Sequence, residues 1–154
     1  MNSTLGLASS PAAKSAQIIE EDCIAIQSDV DIIGARQRGR YLASQVGFSP
    51  SELTLIATSI SELARNIVMY AKRGEIVLKL LNHPDKKGIL VIARDEGPGI
   101  PDIRIALQDG YSTSRSLGLG LPGVRRLMDE FEVESQMGRG TTVTVRKWTL
   151  GTIS

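Results

Sequence analysis

Residues 76–101 read IVLKLLNHPDKKGILVIARDEGPGIP. Two apolar runs, Ile76–Leu81 and Ile89–Ala93, flank the polar stretch His83-Pro84-Asp85-Lys86-Lys87-Gly88. Short runs rich in branched residues and bounded by Pro, Asp and Gly predict two strands joined by a turn. The second run is apolar throughout, as a central strand covered on both faces would be. Asp95 closes it, and the glycine loop through Pro101 leads to a short helical segment near residues 103–107.

Upstream the period is helical. Ile32, Ile33, Ala35, Leu42, Ala43 and Val46 recur at helix spacing over about residues 31–46, and Gly47 supplies a stop. Ser49, Pro50 and Glu52 carry the N-cap, first-position proline and capping-box acid of a second helix. Its core stripe is Leu53, Ile56, Ala57, Ile60, Ala64, Ile67 and Ala71, and Gly74 ends it. Cys23–Ile26 predicts a short first strand. Residues 1–17, MNSTLGLASSPAAKSAQ, are small and aperiodic, which predicts a flexible tail. The expected division is a tail over 1–20 and one domain over 21–150.

Downstream, residues 109–120 (DGYSTSRSLGLG) have the composition of a mobile loop. A helix restarts at Pro122, and Glu132–Ser135 and Thr141–Trp148 predict a terminal hairpin around Gly138-Arg139-Gly140. Helices interleaved with these strands imply an α+β fold: a two-layer α/β sandwich with helices on one face of a mixed, mostly antiparallel sheet.

Composition bounds the function. The 154 residues suffice for one domain, and a net charge of +1 gives no bulk attraction to nucleic acid or membrane surfaces. Cys23 is the single cysteine, so no internal disulfide or multi-cysteine metal site can form. No secretory signal pattern or membrane-length apolar run is present, and a cytoplasmic location is expected.

Three places could carry chemistry. Glu62 and Asn66 lie one turn apart on the second helix, where a carboxylate and an amide could handle a proton and a metal ion; solvated residues on a polar face read the same way. Asp95 ends a buried strand before Gly97 and Gly99, so it could accept from a ligand amino group beside an open backbone, or simply begin a turn. Gly118-Leu119-Gly120-Leu121-Pro122-Gly123 runs into a helix, whose free N–H groups and dipole suit phosphate, or it is a flexible loop with a cap. It is neither a Walker A loop nor a dinucleotide fingerprint. Cys23 reads as a small buried hydrophobe.

Taken in order, Glu62–Asn66, Asp95–Ile100, Gly118–Leu121 and Gly138–Thr142 resemble the N, G1, G2 and G3 boxes of the GHKL ATPases (gyrase, Hsp90, histidine kinases, MutL), whose sandwich is the Bergerat fold. From about Cys23 to Trp148 the chain is similar to the RsbT-type serine/threonine switch kinases of the bacterial stressosome. Ala35-Arg36-Gln37, Ile60–Asn66, Asp95–Asp102, Asp109–Ser114, Gly120–Val124, Arg126–Phe131 and Lys147-Trp148 carry that likeness.

The resemblance implies an ATP-dependent protein kinase. Asn66 would hold Mg²⁺ against the phosphates, and Glu62 would be the general base. Asp95 would accept from the adenine amino group, with Thr141 assisting and Gly97 and Gly99 giving the ring room. Gly118, Leu119, Gly120 and Gly123 would wrap the phosphates within a lid. Implied partners are STAS-domain scaffold or antagonist proteins and a downstream regulator such as a PP2C-type phosphatase. An anti-sigma factor with serine kinase activity shares the same boxes and is the alternative. A histidine kinase would need a phospho-acceptor helix, and His83 lies in a turn.

Overall fold

The computed structural model describes residues 2–6 by backbone, and 16–108 and 120–149 in full. The strands are β1 (Asn2–Gly6), β2 (Gln17–Ile26), β3 (Gly74–His83), β4 (Lys86–Asp95), β5 (Glu130–Gln136) and β6 (Gly140–Trp148). The helices are α1 (Asp29–Ser44), α2 (Pro50–Asn66), α3 (Ile103–Ala106) and α4 (Gly120–Leu127). One six-stranded sheet has the order β1-β5-β6-β4-β3-β2. Every pairing in it is antiparallel, and helices pack on one face in the expected two-layer α/β sandwich.

The register explains where the core ends and the site begins. Leu78, Val91, Val145 and Phe131 form one cross-strand row, and Ile76, Ala93, Val143 and Val133 form the next on the same face. All are buried against α1 and α2 residues such as Leu42, Ile56, Ile60 and Leu63. The row after these is Gly74, Asp95, Thr141 and Ser135. Side chains one residue-pair further along a pleated face point to the same side, so the polar row continues the apolar core. On the opposite face Leu81, Leu90 and Trp148 form a small cluster with Ala16 and Ile92.

Both long helices start on capping boxes. Ser49 accepts the Glu52 N–H at 3.2 Å while Glu52 accepts the Ser49 N–H at 2.9 Å, and Ser28 and Asp31 repeat the arrangement in α1. Such a cap is worth about 1 kcal/mol. The end of α2 departs from expectation. Regular helix stops at Asn66, and Ile67–Ala71 form a π turn closed by Lys72 at φ 71°. A wider turn carries Tyr70 and Ala71 outward, and both line the cavity described below.

The N-terminal region also differs. Asn2–Gly6, within the expected tail, pairs with β5, and β2 begins at Gln17 rather than Cys23; residues 7–15 lie outside the described residues. In β2 the acidic residues that obscure a strand pattern are neutralised by distant partners. Arg38 of α1 pairs with Asp22 at 2.6 Å and Glu20 at 3.6 Å, and Lys79 of β3 pairs with Glu21 at 3.6 Å. Cys23 is exposed rather than buried, because β2 is an edge strand and the residue faces away from the helices. Its thiol donates to Glu75 Oε2 at 2.6 Å. That hydrogen bond, then burial and the Glu75 charge, raise the thiol pKa.

Candidate functional site

A cavity of about 370 Å³ opens at the polar end of the core. The end of α2 and its π turn form one wall (Leu63, Asn66, Ile67, Tyr70), the sheet supplies Ala93, Asp95, Thr141 and Val143, and the loop after β4 contributes Pro98–Pro101. The walls are mostly apolar, with polar groups on Asp95, Thr141, Asn66 and Tyr70. A mostly apolar cavity with few polar groups is suited to an aromatic heterocycle.

Asp95 is half-buried and sits opposite Thr141 in the β4–β6 register. Its Oδ1 accepts the Gly97 N–H at 2.9 Å and the Thr141 N–H at 3.2 Å. Both bonds end on one oxygen, which leaves Oδ2 as an acceptor for a ligand. Burial raises the carboxyl pKa, and the hydrogen bonds from Gly97 and Thr141 oppose that shift.

Two glycines let the walls approach. Gly99 has φ +83°, and a Cβ there would lie 2.7 Å from the Gln136 carbonyl oxygen. Gly140 has φ +135°, and a Cβ there would overlap the Asp95 carbonyl oxygen. The loop is further fastened by the Gly138 N–H, which donates to Pro98 O at 2.9 Å. Ser135 also fastens it, accepting the Ile100 N–H at 2.7 Å. Sequence reasoning missed Ser135. Its one signal was a polar residue on the inward face of an otherwise apolar strand, between Phe131 and Val133 on one side and the turn on the other.

The structure separates Glu62 from Asn66. Asn66 lines the cavity, and its amide makes no hydrogen bond among the described residues. Glu62 is only 4% exposed, so the solvated-face reading fails for it. The cover comes from α4, which packs on α2. Glu62 Oε1 takes an ion pair from Arg65 Nη1 at 2.8 Å, and Oε2 accepts the Gly120 N–H at 3.2 Å. Glu62 is not among the cavity's lining residues.

The same bond alters the reading of the glycine segment. Gly120 starts α4 with its N–H already engaged, and Pro122 has none to give. Among the described residues the Leu121 amide is the one left for an anion at this helix start, because Gly123, the fourth helical residue, donates the first intrahelical hydrogen bond. Gly118 and Leu119 lie outside the described residues. Thr141 and Gly99 line the cavity with Asp95, while Gly97 reaches the site through its N–H to Asp95.

Among the described residues no three His, Cys, Asp or Glu side chains gather as a metal cage. The Asn66 carbonyl oxygen on the cavity wall does fit a hard cation that takes most of its ligands from water and phosphate, as Mg²⁺ does. No helix of the described residues is long and apolar enough to cross a membrane.

Residues 28–147 match the family of histidine kinase-like ATPase domains. The chain is 50% identical over 129 residues to the serine/threonine-protein kinase RsbT of Bacillus subtilis (strain 168), a match covering 84% of this chain and 97% of that protein. It is 36% identical over 112 residues to the anti-sigma F factor of Thermoanaerobacter sp. (strain X514), covering 69% and 77%. To the anti-sigma F factor of Geobacillus stearothermophilus it is 32% identical over 118 residues, covering 73% and 81%.

Proposed function

The chain belongs to the histidine kinase-like ATPase domain family, and on that premise we propose an ATP-dependent protein kinase that phosphorylates serine or threonine on STAS-domain scaffold or antagonist proteins. The observation that carries this reading is the line of Asp95, Thr141 and Asn66 along one cavity, with Glu62 one helical turn behind Asn66. Adenine enters the apolar slot, and its amino group donates to Asp95 Oδ2. Asn66 would hold Mg²⁺ through its side-chain oxygen, and the ion would supply charge neutralisation at the phosphates. The Leu121 N–H faces the phosphates at the start of α4, with Gly118, Leu119 and Gly123 completing that segment.

Glu62 takes the proton of the acceptor hydroxyl as its oxygen bonds to the γ-phosphorus and the bond to ADP breaks. To do so Glu62 exchanges the bond from Gly120 for one from the substrate, while Arg65 keeps the carboxylate oriented. Seating nucleotide at the start of α4 is thereby linked to freeing the base. Released from its scaffold, the kinase binds a downstream regulator such as a PP2C-type phosphatase, in the cytoplasm.

The test is transfer of labelled phosphate from ATP to protein in a lysate of the source organism, followed by identification of the labelled protein. Label on a STAS-domain protein supports the proposal. Co-purification with a sigma factor, and no label on such a scaffold, would favour the anti-sigma reading that the Thermoanaerobacter and Geobacillus relatives suggest.

A further inference from the structure

We infer that Ser59 is a positioning residue: it takes over the Glu62 carboxylate when nucleotide claims the start of α4, and so favours the loaded protein over the free one. The inference rests on the nucleotide reading above and deepens it. Ser59 is fully buried in α2, and its Oγ has no hydrogen-bond partner. Among the described residues it is the one buried side-chain polar atom left in that condition. A buried hydroxyl without a partner carries the full cost of its desolvation.

A hydroxyl within a helix has a ready acceptor in the carbonyl four residues back. In this same helix Thr54 donates to Pro50 O at 3.2 Å and Ser61 donates to Ala57 O at 3.0 Å. Ser59 makes no such bond, so its Oγ is turned away from the Leu55 carbonyl. Its neighbour along the helix surface is Glu62. Residues three apart on a helix have Cβ atoms about 5–6 Å apart, and long side chains lean towards the helix N-terminus. That lean carries the Glu62 carboxylate towards the turn that holds Ser59. Glu62 is also shut off from water, at 4% exposure.

In the free protein the carboxylate is committed elsewhere. Oε1 faces Arg65 at 2.8 Å, and Oε2 accepts the Gly120 N–H at 3.2 Å. Gly120 begins α4, so phosphates seated at that helix start compete with Glu62 for its N–H. Once they win, Oε2 is a buried carboxylate oxygen without a donor. Ser59 then supplies its proton to Oε2, which keeps a second lone pair for the acceptor hydroxyl. The Ser59 hydroxyl is thus unmatched in the free state and matched in the loaded one. A group whose free energy differs between two states shifts the balance between them.

Calorimetry with Mg²⁺ and a non-hydrolysable ATP analogue, beside thermal melts of the free proteins, tests this. Ser59→Ala should bind the analogue roughly three- to tenfold more weakly, as for one hydrogen bond. The free Ser59→Ala protein should melt higher than wild type, since it loses an unmatched hydroxyl and gains a better helix former. A purely structural role would move both quantities the same way. Ser59→Thr and Ser59→Val have nearly the same shape, so any crowding cancels between them, and Thr should bind the analogue more tightly than Val. In a Glu62→Ala background Ser59→Ala should cause no further loss, because the acceptor is gone. Wild-type affinity in Ser59→Ala, a lower Tm for its free form, equal binding by the Thr and Val variants, or additive losses with Glu62→Ala would each overturn the inference. Failure of the wild type to bind the analogue would instead reject the nucleotide reading, and the inference with it.

Discussion

Thr141 donates its backbone N–H to Asp95 Oδ1 at 3.2 Å, across the last pair of the β4–β6 register. A carboxylate at the end of a core row is thus held by the sheet itself, and its orientation does not depend on a ligand. Asp95→Asn keeps the oxygen that accepts from Gly97 and Thr141, so the fold persists, but the second acceptor becomes a donor facing the adenine amino group. We expect ATP binding to be lost at concentrations that saturate wild type, with an unchanged circular dichroism spectrum. Wild-type ATP affinity measured by calorimetry would remove Asp95 from the site.

The same residue predicts a pH signature. Burial raises the Asp95 pKa above the ordinary carboxylate value. As pH rises from the unfolded-state pKa through the higher folded one, the unfolded chain releases its proton first, and stability falls. At neutral pH the buried charge therefore costs stability, and below the unfolded value the cost vanishes. Asp95→Asn should melt no lower than wild type near pH 7, with any advantage disappearing in acid. For binding the sign is opposite in consequence: ATP affinity should weaken on acidification before an ordinary carboxylate would titrate. Thermal melts and calorimetry across pH check both.

Lys72 carries the clearest backbone strain. Among the described residues it alone combines a side chain with positive φ, at φ 71° and ψ −38°, near the rare γ conformation that side chains disfavour. Lys72→Gly should stabilise the protein by about 1 kcal/mol after the unfolded-state entropy of glycine is subtracted. That amounts to roughly 2–4 °C in Tm for a domain of this size. A lower Tm would mean that the Lys72 side chain makes a compensating interaction.

Much of this was legible because local signals agreed. Ser49, Pro50 and Glu52 announced α2, and the apolar runs of β3 and β4 announced the central sheet. Asp95 could be singled out as the acid that closes a buried strand before a glycine loop, whereas Thr141 was named only through the resemblance to the GHKL boxes. What escaped depended on distant partners. The pairing of Asn2–Gly6 rests on the β5 edge, which takes on a strand with no apolar periodicity of its own. Gln17–Asp22 is a strand because Arg38 and Lys79 balance its acids. Glu62 looked solvated because nothing in its own helix shows that α4 will cover it, and the partners of Ser135 (Ile100, Gly140 and Thr141) lie on other segments.

Glu62 and Asn66, neighbours on one helix, should fail differently. Asn66 lines the cavity and its amide makes no hydrogen bond among the described residues, so Asn66→Ala would remove the proposed Mg²⁺ ligand while disturbing none of their bonds. Nucleotide affinity should then lose its dependence on Mg²⁺, and phosphotransfer should fall with it. Glu62→Gln keeps the shape but replaces the charge that Arg65 pairs with at 2.8 Å, so a stability loss of about 1–2 kcal/mol is expected. Nucleotide should still bind. Transfer should slow by something like the 10²–10⁴-fold typical of losing a general base, nearer the lower end because a loose phosphoryl transition state asks less of one. Single-turnover transfer to the scaffold protein, measured at saturating nucleotide beside binding with and without Mg²⁺, separates the two roles. Arg65→Gln supplies the comparison: it removes the ion pair that orients the carboxylate but leaves the carboxylate itself, so a slowing smaller than that of Glu62→Gln assigns the remaining defect to the lost base. Full-rate transfer by Glu62→Gln would leave Glu62 as a structural tie between α2 and the start of α4.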